Sequence, residues 1–434
     1  MKIYTFGTPE AARRLDRIID RGLDYTPEQL HQVAAIVADV KKNGDKALER
    51  YTRQFDAPKL AASRFRVTAA EMAAAAKGVD RAFVKAINRA IGQVSEFHAM
   101  GLEKTWTAEP RPGVVVGKKI TPVDSAGIYV PGATGGRTPL VSTVIMGTIP
   151  AKTAGVRRIV MVTPPRQDGT VNPHLLVAAK KVGVHEIYKV GSAWAIAALA
   201  HGTKTIARVD MIAGPGNIYV ALAKKIVAGT VGIDMVAGPS EILVVADGSA
   251  DPRYIAADLL SQAEHDTLSA AVLVTTSLKM ARAVSDEVKR QITGIGRWQI
   301  ARKALAAYGA LFVVKSRKEA FALVNRFAPE HLELHTKNPQ KDLNQIRNAG
   351  AVFLGLYTPE PIGDYVAGPN HTLPTSGCAR FASALSTGHF LKRTSIVSYS
   401  KAAFLSEADD VMRIAGVEGL DAHASAVGIR LEEE

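Results

Sequence analysis

RRIVMVTPPRQDGTVNPHLLVAAKKVGVHEIYKVGSAWAIAALAHG, residues 157–202, alternates two kinds of segment, and that alternation decides the fold. RRIVMVT (157–163) and HEIYKV (185–190) are short strand-like runs, whereas PHLLVAAKKVG (173–183) and SAWAIAALAHG (192–202) space their apolar residues as helices do. Working outward, VDMIAG (209–214) and NIYVALAKKIVAG (217–229) repeat the pair. Strands separated by helices of about ten residues call for a parallel sheet covered on both faces. A second series follows in EILVVA (241–246), AAVLVTT (270–276), a helix near 277–292, ALFVV (310–314), a helix near 317–327, HLELHT (331–336) and AVFLG (351–355). Two such series predict an α/β fold with two doubly wound, Rossmann-like parallel-sheet domains. Residues 1 to about 105 read as helical, with PEQLHQVAAIVADVKK and DRAFVKAINRAIGQVSEFH as the clearest segments and Asp80 as N-cap of the latter. The last fifty residues also have helix-forming composition, which gives the fold helical N-terminal and C-terminal extensions.

Composition narrows the function. The 434 residues are 47% hydrophobic and 22% charged, which suits a folded chain with large cores and excludes disorder. No run approaches the roughly 18 apolar residues of a membrane span, and MKIYTFGTPEAARRL lacks a signal-peptide core, so a cytoplasmic protein without membrane contacts is expected. The single cysteine, Cys378, leaves no internal disulfide or thiolate cluster, so a metal site must use His, Asp, Glu or Gln. Lys and Arg number 54 against 41 Asp and Glu, a formal charge of +13. A basic α/β protein that binds nucleic acid around a structural metal is one reading of that excess. The basic residues are scattered without interleaved aromatics, however, and a basic surface favouring anionic metabolites explains them better.

Chemistry-bearing side chains gather in seven places. LLSQAEHD (259–266) ends an amphipathic helix and sets Gln262 and His265 three apart on one face, where an imidazole and an amide oxygen could hold zinc or simply form the polar rim of a capped helix. GPGN (214–217) lies between a strand and a helix, either as a phosphate-binding turn or as a plain turn with Asn217 as N-cap. AGPSE (237–241) offers Ser240 and Glu241. APEHLEL (328–334) places Glu330 and His331 next to each other, facing opposite ways on an extended segment, either as an acid/base pair acting on different atoms or with His331 as a hydrogen-bonded structural residue beside a strand. GDYVAGPNHTLPT (363–375) contains Asp364 and His371, and GLDAH (419–423) brings His423. VDSAGIYVPGATGGRTP (123–139) runs from a strand into a loop with Gly127, Gly132, Gly135 and Gly136, suited to close approach of a ligand or to a flexible connection.

In their chain order, GPGN, AGPSE, LLSQAEHD, APEHLEL, GDYVAGPNHTLPT and EGLDAH resemble the histidinol dehydrogenase family, and the resemblance runs from about residue 25 to the C-terminus. The resemblance implies a zinc- and NAD-dependent homodimer that oxidises L-histidinol through L-histidinal to L-histidine in histidine biosynthesis. It implies one zinc per active site on Gln262, His265, Asp364 and His423, and Glu330 with His331 as catalytic acid/base pair. Ser240, Gln262, His265, His331, Asp364, His371, Glu418 and His423 fall at substrate positions, and Tyr129, Trp194 and Asn217 at dinucleotide positions. The implied segmentation is an N-terminal arm (1–26), a first Rossmann-like domain (27–124 and 240–380) with the zinc ligands, a second, dinucleotide-binding domain (125–239), and a C-terminal tail (381–434) that crosses to the partner, so that Glu418 and His423 act in trans. Two features depart from the family pattern. Trp194 stands where members commonly carry a glutamine, and an indole that packs or stacks replaces an amide that accepts hydrogen bonds. The loop GATGGRTPL (132–140) is longer than usual. The charge also leaves open the same fold acting on another primary alcohol, such as an anionic sulfonated one, against which Glu418 stands as a partner for a cationic amino group. Cys378 has no neighbouring base and is left out of the chemistry.

Overall fold

A computed structural model describes residues 1–22, 25–132 and 138–432. Strands β4 (Ser125–Tyr129), β6 (Arg158–Val162), β7 (Glu186–Tyr188), β8 (Met211–Ala213) and β9 (Gly232–Ile233) form a parallel sheet in the order β7-β6-β4-β8-β9. Helices α6 (Val141–Ala154), α7 (Pro173–Val182), α8 (Ser192–His201) and α9 (Ile218–Val227) make the crossovers. A second parallel sheet has the order β1-β12-β11-β10-β13-β14, from β1 (Ile3–Thr5), β10 (Glu241–Ala246), β11 (Ala270–Thr275), β12 (Gly309–Val313), β13 (His331–His335) and β14 (Ala351–Leu354). Its crossovers include α10 (Pro252–Ala263), α11 (Leu278–Gln291), α12 (Trp298–Tyr308) and α13 (Arg317–Phe327). Because α10 and α11 pack on one face and α13 on the other, strands β10 and β11 are buried along their whole length, as their unbroken apolar runs require. In the five-stranded sheet, and in the six-stranded sheet after the N-terminal edge strand β1, the chain starts in the middle, proceeds outward to one side, then returns to the other, which leaves a switch point between β4 and β8 and another between β10 and β13.

The remaining segments distribute differently from the expected boundaries. Residues 1–22 are not a free arm: β1 pairs with β12, and the guanidinium of Arg21 is buried against Glu241 with Nη2 to Oε2 at 2.7 Å. Three residues are too few to show a strand period, so the sequence alone reads this stretch as helical. Helices α2 (Pro27–Asn43) and α3 (Asp45–Phe55) pack through Val33, Val37, Val40 and Leu48 onto the core of the five-stranded sheet rather than onto the sheet with which they were grouped. Residues 102–123 separate from both sheets and form a second compact unit with residues 391–434, where β15 (Leu391–Tyr399) pairs antiparallel with β3 (Val114–Pro122), itself paired with β2 (Trp106–Arg111). Helices α16 (Lys401–Val417) and α17 (Asp421–Gly428) complete that unit. The helical expectation for the C-terminal extension therefore holds only after residue 400. Gly135 and Gly136, in the long glycine-rich loop, lie outside the described residues. No helix among the described residues is long and apolar enough to cross a membrane.

Candidate active site

A cavity of about 600 Å³ in the first unit is lined from both sheets. Tyr129, Asn217, Ser240, Gln262, His265, Glu330, His331, Asp364 and His371, all singled out in the sequence, contribute to its wall. Tyr129 is the last residue of β4, and its hydroxyl accepts the Ser192 N–H at 3.1 Å where α8 begins. The neighbouring turn runs against its backbone so closely that a Cβ on Gly214 would fall 2.1 Å from the Tyr129 carbonyl oxygen, and Gly214 has φ +123°. Asn217 caps α9, its Oδ1 accepting from the N–H groups of Tyr219 (3.1 Å) and Val220 (3.2 Å). The turn is braced from below by buried Lys224, which donates to the Gly214 carbonyl at 3.0 Å and pairs with Asp234.

The opposite wall is built on Glu241. Its backbone N–H donates to Glu330 Oε2 at 2.8 Å, while its own Oε1 accepts the N–H groups of Glu330 (3.2 Å) and Ser376 (3.1 Å). The helix before this segment stops at Ala328, which takes φ +52° and turns the chain so that Glu330 leads into β13. His331 Nδ1 lies 3.1 Å from the Glu241 carbonyl oxygen. A carbonyl can only accept, so the proton sits on Nδ1, and Nε2 is left buried without a hydrogen-bond partner. Burial pushes the Glu330 carboxyl up to about 7. Burial opposes charge on His331 as well, but the carboxylates of Glu330, Asp364 and Glu360 outweigh it and raise the imidazole to about 10.

Glu360 and Asp364 lie on α15 (Glu360–Tyr365), one turn apart, and with His331 they form a group whose donor atoms all lie within 4.8 Å of one another. His331 Nε2 is 3.8 Å from Glu360 Oε1 and 3.8 Å from Asp364 Oδ1, and His371 Nδ1 is 4.0 Å from Asp364 Oδ2. Burial works against the Asp364 anion, yet the imidazoles of His331 and His371 facing it hold its carboxyl below the usual range; burial and the neighbouring Asp364 push Glu360 up. Desolvation lowers His265 and His371, keeping both rings neutral. Gln262 is 1% exposed and its Oε1 has no hydrogen-bond partner. A neutral imidazole, an ionised carboxylate and an orphaned amide oxygen on one cavity fit a divalent cation of the zinc type.

Three expected residues are not in this wall. Glu418 follows α16 and His423 lies in α17, both exposed and both in the second unit. Trp194 is 4% exposed and stacks between Tyr51 (5.8 Å between ring centres) and Phe55 (5.6 Å), so of its two possible roles the structure shows packing. Its neighbour Phe55 and the adjacent Asp56 line the cavity in its place. Burial pushes Asp56 up to about 7. Glu360 was readable from its spacing of four before Asp364, whereas Asp56 left no signal at the end of a helix with charges throughout. Burial raises the Cys378 thiol, which agrees with leaving it out of the chemistry.

The sequence of residues 20–431 matches the family described as histidinol dehydrogenase. The histidinol dehydrogenase of Desulfotalea psychrophila is 52% identical over 426 residues, covering 98% of each chain, and that of a Synechococcus strain is 51% identical, covering 97% of this chain and 96% of its own. The crystal structure of histidinol dehydrogenase from Elizabethkingia anophelis superimposes with a TM-score of 0.93 at 38% identity, covering 100% of this chain and 98% of the other. With a matching family sequence, full-length relatives and a shared fold, the chain belongs to the histidinol dehydrogenase family.

Proposed function

We propose that the protein oxidises L-histidinol to L-histidine by way of L-histidinal, two successive two-electron steps in the cavity just described. The alcohol RCH2OH loses a hydride and its hydroxyl proton to give RCHO; the aldehyde adds water and loses a second hydride and two protons to give RCOO⁻. When bound, NAD would accept each hydride, and one zinc, which Gln262, His265 and Asp364 would hold with His423 of a second subunit, would supply positive charge that binds substrate and offsets the carboxylates around His331.

The chain's own residues account for the proton movements. Nε2 of His331, left bare by the anchoring of Nδ1, accepts the hydroxyl proton. Glu330 has one oxygen tied to the Glu241 N–H and the other available to take a proton from the water that attacks the aldehyde, with its carboxyl near 7. Ser240 and His371 contact substrate from the same wall, and Tyr129 and Asn217 meet the dinucleotide from the other. The observation that supports this most is that a base with a free nitrogen, a carboxyl near neutrality and an orphaned donor set share one cavity.

A homodimer that completes each site with the partner's C-terminal unit is supported by the apolar surface around Glu418 and His423, where Val417 is 86% and Ile414 61% exposed. Incubation with L-histidinol and NAD is expected to produce NADH, to stop on removal of metal by a chelator and to resume on adding zinc. Absence of turnover on histidinol in the zinc-loaded protein contradicts the proposal; turnover of a sulfonated alcohol instead replaces its substrate.

A further inference from the structure

A second polar cluster lies deeper between the same two elements. From α10, Asp258 projects one turn before Gln262; from β13, Glu333 and His335 continue the face that begins with His331. Helix positions four apart are about 6 Å apart and strand positions two to four apart about 7–13 Å, so the cavity set and the inner set form two layers along one helix–strand seam.

All three inner side chains are buried: Asp258 at 6%, Glu333 at 0% and His335 at 1% exposure. Their donor atoms lie within 4.8 Å of one another, with His335 Nε2 3.2 Å from Glu333 Oε2 and 3.7 Å from Asp258 Oδ2. Neither carboxylate meets a lysine or arginine among the described residues. Both ring nitrogens of His335 and Glu333 Oε2 are without a hydrogen-bond partner, so the 3.2 Å approach is not a directed hydrogen bond. Asp258 and Glu333 share a hydrogen bond, while both nitrogens of the buried imidazole beside them stay unpartnered, which leaves buried donor atoms for a cation between the three side chains. Around an ion with bonds of about 2.0–2.2 Å the donors sit roughly 3–3.5 Å apart, close to the spacing here.

We propose that Asp258, Glu333 and His335 form a second, inner cation site, distinct from the one facing the cavity, that takes a divalent first-row metal of the zinc type. One imidazole and two carboxylates neutralise such an ion, and the ion in turn compensates two carboxylates buried side by side. Without it the pair must hold a proton, and burial together with Glu333 drives Asp258 well above its ordinary value.

Counting zinc decides it. Full-length protein stripped with chelator is dialysed against Zn²⁺, and zinc per chain is measured in the parent and in Glu333→Gln, His335→Gln and His265→Ala. Two equivalents in the parent and one in each variant is the expected pattern. A parent with one equivalent, lost by His265→Ala and kept by the other two, overturns the inner site and leaves the cavity site standing. One equivalent lost by Glu333→Gln and His335→Gln but kept by His265→Ala supports the inner site and removes the outer one. A parent without zinc removes both. Glu333→Gln relieves repulsion in the metal-free chain, so it is expected to fold at least as well as the parent, which circular dichroism checks.

Discussion

Apart from the added edge strand β1, the two sheets share a strand order but offer opposite edges to the cavity. In the five-stranded sheet the cavity residues follow strands: Tyr129 ends β4, Ser192 follows β7 and Asn217 follows β8. In the six-stranded sheet most of them precede strands: Ser240 leads into β10, Gln262 and His265 into β11, and Glu330 into β13, whereas Glu360, Asp364 and His371 come from the segment after β14. The consequence is electrostatic. Helices α8 and α9 begin at the first edge and point their N-termini, the positive pole, toward it, which suits the phosphates of a dinucleotide. Helix α10 ends at the second edge and presents carbonyls, the negative pole, which suits a metal and a cationic substrate. One fold used twice, in opposite senses, thus gives a cavity with an anion-accepting wall and a cation-accepting wall.

The comparison predicts separable defects. The largest is at the six-stranded edge: His331→Ala is expected to lower kcat by about 10²–10⁴-fold while bound zinc is retained, measured by steady-state kinetics beside elemental analysis. Full activity in that variant ends the base assignment. Next, Arg21→Met leaves Glu241 buried without its partner and is expected to cost about 3–5 kcal/mol in denaturant unfolding. Unchanged stability means that the N-terminal segment does not support this wall.

At the other edge, Asp56 is held near 7 by burial, against about 3.9 in an unfolded chain. A raised carboxyl binds its proton more tightly in the folded state, so its cost is absent below the unfolded value, grows as pH rises and levels off above about 7. Asp56→Asn is therefore expected to stabilise the fold by a few kcal/mol at pH 8 and by clearly less at pH 5, read from urea unfolding at both. A gain that is independent of pH contradicts this. The smallest effect is Asn217→Ala, which removes the cap of α9 for about 1 kcal/mol and weakens NADH binding, followed by fluorescence titration, without changing zinc content. Loss of zinc in this variant breaks the division between the walls.

How much of this was readable in the sequence follows from distance along the chain. The crossovers of 157–229 announce themselves because strand and helix periods alternate locally, and LLSQAEHD shows its helical face within eight residues. The pairing of β1 with β12 and of residues 102–123 with 391–399 depends on partners some 270–310 positions away, for which no local period exists. In the site, Glu330 and His331 were legible as adjacent residues before a strand. Their anchoring by Glu241 was not, since it arises only when β10 and β13 become neighbours. Trp194 shows the same limit: its composition allowed packing or stacking, and only Tyr51 and Phe55, from a distant helix, decide between them.

The most direct test of a single cavity that carries out both oxidations is the yield of NADH per L-histidinol consumed, with an aldehyde trap present. Two NADH and no trapped histidinal are expected, because the aldehyde stays between the two walls until water and Glu330 act on it. One NADH with stoichiometric trapped aldehyde contradicts the account.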